Sequence, residues 1–170
     1  MKKWICSLLV GVLLCGLVGC GSAGNSKVQP VTKGFSCQVT VDYRELALVG
    51  ELQCSPEGKL QLTFFQPSPL SGLSIGWDGQ DMTMELGDVS VSVSPDKVPQ
   101  SALIKSLLGV LSAKPANGEM THEGYVMEGS VDGLAYTLVC DGTTGLPLSL
   151  SVPENELSAT FTQTTIMPIN

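Results

Sequence analysis

The chain is poor in the residues that enzymes and nucleic-acid binders use most. It has one histidine, His122, aromatic residues make up 5% of its 170 positions, and Lys+Arg number 9 against 16 Asp+Glu. A single imidazole cannot build a multi-histidine zinc set, and no cysteine pair stands at metal-ligand spacing, so no metal and no cofactor are expected. Beside Glu123, His122 has the chemistry of a ligand or base. Alone, it reads as a solvated residue at a strand end. The acidic excess repels phosphate backbones, which excludes nucleic acid as a partner. Asp78, Asp81, Asp88 and Asp141 stand in turn sequences, where short acidic side chains hydrogen-bond their own backbone, so they read as turn formers rather than general acids. No catalytic residue is expected.

Long hydrophobic runs are also missing, apart from the first residues. Lys2 and Lys3 precede an apolar run from Trp4 to Val18, shorter than the roughly 20 residues that cross a bilayer core. A basic start, a short apolar stretch and small residues beyond it are the layout of a secretory signal. Leu17-Val18-Gly19-Cys20 closes the run and resembles the lipobox of bacterial prolipoproteins. The resemblance implies cleavage between Gly19 and Cys20 and a diacylglycerol on the Cys20 thiol. Two acyl chains suffice for stable anchoring. The expected organisation is a signal at 1–19, a lipidated N-terminus and uncharged flexible tether at 20–33, and one domain at 34–170. Only Lys2 and Lys3 are lost with the signal, so the 9 basic residues fall to 7 against 16 acidic ones, a formal charge of −9. The lipid on Cys20, rather than a basic patch, is then the hold on the membrane, at its extracytoplasmic side. The positive mean hydropathy is inflated by the signal and marks no membrane domain.

From Gly34 onward the dominant period is two, the signature of half-buried strands. Phe35, Cys37, Val39, Val41 and Tyr43 alternate with polar residues, as do Leu48, Leu52 and Cys54, then Leu60, Leu62 and Phe64. A four-residue loop at Arg44–Ala47 sets Tyr43 against Leu48 and Cys37 against Cys54. The turn at Pro56–Gly58 sets Cys54 against Leu60. Asp78-Gly79 as a two-residue turn sets Ile75 against Met82, and Gly87-Asp88 sets Met84 against Val91. Asp132-Gly133 sets Met127 against Leu138 and Tyr125 against Cys140. Leu148, Leu150 and Val152 follow another turn, then Leu157, Ala159 and Phe161. About ten sequential antiparallel strands are predicted, with one buried face.

One segment breaks the period. Pro99-Gln100-Ser101-Ala102 opens a stretch with Leu103, Ile104, Leu107, Leu108 and Leu111 at helical spacing, ending near Lys114-Pro115. Its broad apolar stripe must pack deeply. The predicted fold is mainly β with one helix, a curved antiparallel half-barrel of about ten strands wrapped around that helix. This element order resembles the half-barrel family of LolA-like and LolB-like lipoprotein carriers. The local likeness lies in Leu60-Gln61-Leu62-Thr63-Phe64, Pro69-Leu70-Ser71-Gly72-Leu73 and Trp77-Asp78-Gly79, and in the turn Cys140-Asp141-Gly142-Thr143-Thr144-Gly145-Leu146-Pro147. The resemblance extends to half-barrel lipoproteins of bacteria without an outer membrane, including a spore-germination type. It implies a binding module whose apolar concavity accepts an acyl chain or a partner's hydrophobic segment. Free carriers of that family are soluble, so an anchored chain fits a fixed receptor or accessory role better than shuttling.

Two site expectations follow. In an oxidising compartment, Cys37 and Cys54 can form a disulfide across neighbouring strands; two buried free thiols are the alternative, and Cys140 competes as a partner. Phe64, Trp77, Met82, Met84, Leu103, Leu107, Leu111, Tyr125 and Met127, with Met120, either line an adaptable apolar pocket or are ordinary core against the helix. A lipid ligand or an envelope protein is the expected partner. A second class of reading has a sheet edge pair with another chain, a homodimer included.

Overall fold

In the computed structural model, residues 34–99, 102–113 and 118–167 are described. The expected signal and tether, with Gly19 and Cys20, lie outside them. The expected alternation is realised along the chain. Strand β1 (Phe35–Tyr43) buries Phe35, Cys37, Val39 and Val41 and turns the residues between them outward. β2 (Leu46–Cys54) and β3 (Leu60–Gln66) repeat the pattern, followed by β4 (Ser74–Trp77), β5 (Met82–Leu86) and β6 (Val89–Val93). Helix α1 (Leu103–Ser112) then crosses over. β7 (Gly118–Met120), β8 (Tyr125–Val131), β9 (Leu134–Cys140), β10 (Pro147–Val152) and β11 (Leu157–Ile166) complete the chain.

The eleven strands form one open antiparallel sheet in the order β6-β5-β4-β3-β2-β1-β11-β10-β9-β8-β7. Two meanders are thus joined where the last strand pairs with the first, Val39 opposite Phe161 and Val41 opposite Ala159. Among the described residues the half-barrel carries one α-helix, as the sequence predicts, with eleven strands in place of about ten. The helix buries Ser106, Leu107, Leu108 and Val110, while Leu103, Ile104 and Leu111 pack against the core's margin. It is locked to the turn after β10 by a buried hydrogen bond from Asn155 Nδ2 to Ser106 Oγ, 2.6 Å. Lys105 Nζ pairs with Asp132 at 3.3 Å beside it.

Three details of register differ from the sequence reading. β1 and β2 are joined by a two-residue loop, Arg44-Glu45, so Tyr43 faces Leu46 rather than Leu48. Arg44 adopts φ +53 there, and its N–H donates to the Glu156 carbonyl at 2.9 Å, a tertiary support invisible in the local sequence. β4 and β5 are joined by four residues rather than two, so Met82 faces Trp77 and Ile75 faces Met84. The cause is Asp78, whose Oδ1 accepts from the N–H groups of Gln80 and Asp81 at 2.8 and 2.7 Å and closes the wider loop. Leu148, expected inward, is exposed because β10 shifts register against β9 between Pro147 and Ser149. The Gly87-Asp88, Asp132-Gly133 and Pro56–Gly58 turns have the predicted pairings.

Candidate functional site

The inner face of the sheet forms a single apolar row that runs from covered to bare. Leu62, Ile75, Met84 and Val91 lie opposite one another across β3, β4, β5 and β6. Their exposures along that row are 0%, 3%, 37% and 48%. The neighbouring row ends likewise, with Leu86 and its partner Val89 exposed by 49% and 65%. The helix roof stops short of the β5–β6 hairpin. Met84, Leu86, Val89 and Val91 therefore form a contiguous bare apolar patch on a face that is elsewhere core. Clustered apolar exposure of this kind marks contact surfaces, whereas scattered exposure does not.

β6 is also the outer strand of the sheet. Its sequence, Val-Ser-Val-Ser-Val, has no charge and no proline, the two commonest guards of a free edge. The opposite edge, β7, is three residues long and contains Glu119, so it is blunted in the usual way. Sequence reasoning missed this patch. Alternation in 89–93 reads the same whether or not a helix covers the strand.

The residues expected to line a pocket are mostly packed core. Phe64, Met82, Leu107, Tyr125 and Met127 are buried in one cluster, with Trp77, Leu103 and Leu111 packed against it and Met84 on the bare patch. Met120 is exposed on β7. Two open depressions lie elsewhere. One of about 470 Å³ is lined by Gln53, Gln61, Gly76 and Thr83 of the outward face together with Trp77 and Lys59. Another of about 510 Å³ lies along Gly118, Glu119 and Val126. Trp77 is the one expected lining residue that touches either. Its indole Nε1 is buried without a hydrogen-bond acceptor among the described residues.

The register separates the cysteine pair. Phe35, not Cys37, faces Cys54, and Cys37 faces Leu52. The two thiols are thus diagonal neighbours rather than directly opposed, a consequence of the two-residue Arg44-Glu45 loop. Cys37, Cys54 and Cys140 are all free thiols here. Burial above all, with the Glu51 carboxylate and Cys54 adding to it, pushes Cys37 up to about 12. Burial and then Asp141 push Cys140 up to about 11, and burial also raises Cys54. These groups stay protonated and are poor nucleophiles.

The remaining chemical groups are solvated or structural. His122 has a side chain 90% exposed, 3.6 Å from Glu123. Asp141 Oδ1 accepts from the Thr143 and Thr144 N–H groups and from the Thr144 hydroxyl, which holds its carboxyl below the usual range. Backbone N–H groups of Asp81 and Gln80 do the same to Asp78. Gly72-Leu73-Ser74-Ile75-Gly76 spells the string of a hydrolase nucleophile elbow. That motif requires a serine on a tight strand-to-helix turn. Ser74 instead opens β4, with its Oγ accepting from Gln61 Nε2 and sharing a hydrogen bond with Thr63 Oγ1. Among the described residues no three His, Cys, Asp or Glu side chains gather as a metal set, and no helix is long and apolar enough to cross a membrane.

No protein-family model and no curated protein sequence matches the chain. Solved structures do. A LolA superfamily protein from Nitrosomonas europaea is 8% identical over 85% of this chain and 90% of its own, with a TM-score of 0.44. A chain in the structure of the CwlD amidase from Clostridioides difficile in complex with the GerS lipoprotein is 14% identical, over 100% of this chain and 95% of its own, at 0.42. An uncharacterized conserved protein from Thermus thermophilus is 13% identical over 82% of each chain, at 0.53. At that identity the likeness to the Thermus protein is one of fold.

Proposed function

We propose that this chain is a lipid-anchored, extracytoplasmic and non-catalytic binding module that docks a protein partner on the bare inner face of β5 and β6. The observation that carries this reading is the exposure gradient from Ile75 to Met84 to Val91, one apolar row that loses its cover within two strands. Leu17-Val18-Gly19-Cys20 supports the anchor and the compartment, with residues 1–19 as the removed signal and 20–33 as the tether. Carriage of an acyl chain inside the concavity has less support. Phe64, Leu107, Tyr125 and Met127, which would have to line it, are packed against one another and the helix.

A photoreactive amino acid placed at Val91 of the full-length protein, irradiated in cells, tests the reading. A discrete protein adduct at Val91, absent when the probe stands at exposed Glu154 on the turn after β10, is the expected result. Lipid-only adducts at Val91, or none, would overturn it. For the anchor, Cys20→Ser should abolish labelling by a clickable fatty acid, and undiminished labelling would remove the membrane tether from the proposal.

A further inference from the structure

β6 offers more than an apolar face. The two-residue Gly87-Asp88 loop makes Leu86 and Val89 the hydrogen-bonded pair that closes the hairpin. In an antiparallel ladder such pairs alternate, so Val91 and Val93 also turn their backbone groups toward β5. The N–H and C=O groups of Ser90 and Ser92 are left pointing away from the sheet. Ser90 and Ser92 place their side chains on the outer face, where the Ser90 hydroxyl donates to Glu85 at 3.4 Å. The edge therefore presents two donors and two acceptors in register with a strip of valines.

We infer that β6 takes up an extended segment of a partner protein as a twelfth strand, and that this segment alternates apolar and polar residues between basic ends. This rests on the reading that the β5–β6 face docks a protein, and it names how and whom. Residues directly opposite across a ladder share a face. The partner's side chains beside Val89, Val91 and Val93 would lie over the bare patch and must be apolar, whereas those beside Ser90 and Ser92 meet solvent. Charge selects the flanks. Asp88 stands in the turn before β6, Asp96 in the turn after it and Glu85 beside it, with Lys97 the one cation in these elements. A second copy of this chain fits less well. Antiparallel pairing of two copies about Val91 brings Asp88 of each toward Asp96 of the other, and both chains are acidic.

The test uses the full chain and a synthetic peptide alternating valine with threonine between terminal lysines. Hydrogen exchange should show new protection at the Ser90 and Ser92 amides when the peptide is added. Binding, followed by fluorescence anisotropy, should weaken about tenfold in Val91→Asp, in Ser92→Pro, and when glutamates replace the terminal lysines. Ser92→Pro removes an N–H that faces away from β5, a place where an edge strand accepts proline. An unchanged unfolding midpoint verifies that this variant folds, and the exchange measurement on the unaltered chain needs no variant. Loss in Val91→Asp with full binding by Ser92→Pro would mean docking by the face alone. That sinks strand addition and leaves the docking reading standing. Binding unaffected by either variant would sink both. Protection of Ser90 and Ser92 without peptide, rising with protein concentration, would identify a second copy as the occupant and overturn the inference.

Discussion

Cys37 is 2% exposed on the inner face of β1, and its thiol is held protonated up to about 12. The sign of the resulting pH dependence follows from which state binds the proton more tightly. An unfolded thiol ionises near its ordinary value of 9.0, whereas the buried one keeps its proton. The contribution of burial is therefore fully present below pH 9 and is lost as pH rises toward 12. The same asymmetry governs reactivity, because only the thiolate attacks an alkylating agent. In mildly alkaline iodoacetamide, peptide mapping should find Cys37 and Cys140 modified much more slowly in the native protein than in denaturant, with half-buried Cys54 reacting sooner. Equal rates for Cys37 in both states would show that β1 does not hold it in the core. The identity of these residues as inward-facing thiols was legible from alternation alone. Their partners were not, because a two-residue slip keeps every side chain on its face and leaves the hydrophobic pattern unchanged.

At the scale of elements, that insensitivity separates what sequence reveals from what it hides. Period two located the strands, and the helical stripe located α1, since burial dictates both patterns. Loop length was decided by single hydrogen bonds, from the Arg44 N–H to Glu156 and from the Gln80 and Asp81 N–H groups to Asp78. The helix has two classes of apolar residue that look alike in sequence. Leu107 and Leu108 are fully buried, while Leu103, Ile104 and Leu111 sit at the margin. Leu107→Ala leaves a cavity under the roof and should cost about 2–5 kcal/mol, whereas Leu103→Ala, at a site that can relax, should cost less than half of that. Urea unfolding of the two variants measures the difference. Equal losses would mean that the helix is held uniformly rather than by its central turn. Ser106 and Asn155 join that central turn to the turn after β10, a pair whose separation in sequence left no local signal.

Across the described residues, β1, β3 and β11 each bury three or more apolar side chains, whereas β4–β6 together bury only Ile75 and Met82, and β6 buries none. Stability is not uniform when burial is not, and segments with little apolar cover open without the rest. The β5–β6 hairpin is tied to the sheet through the four-residue strand β4, which pairs with Met82–Glu85 of β5. It should behave as a separately opening wing. Native-state hydrogen exchange should show the β5-bonded amides of Val89 and Val91 exchanging at least about tenfold faster than those at the centre of β1 and β11, a difference of about 1.4 kcal/mol in opening free energy. The same amides should slow when the lysine-ended peptide is bound, because a strand added at β6 gives the wing the cover that α1 does not supply. If the hairpin instead exchanges only with global unfolding, its exposed valines are held as firmly as the core. A partner would then meet a preformed rigid edge, and binding would leave the Val89 and Val91 rates unchanged.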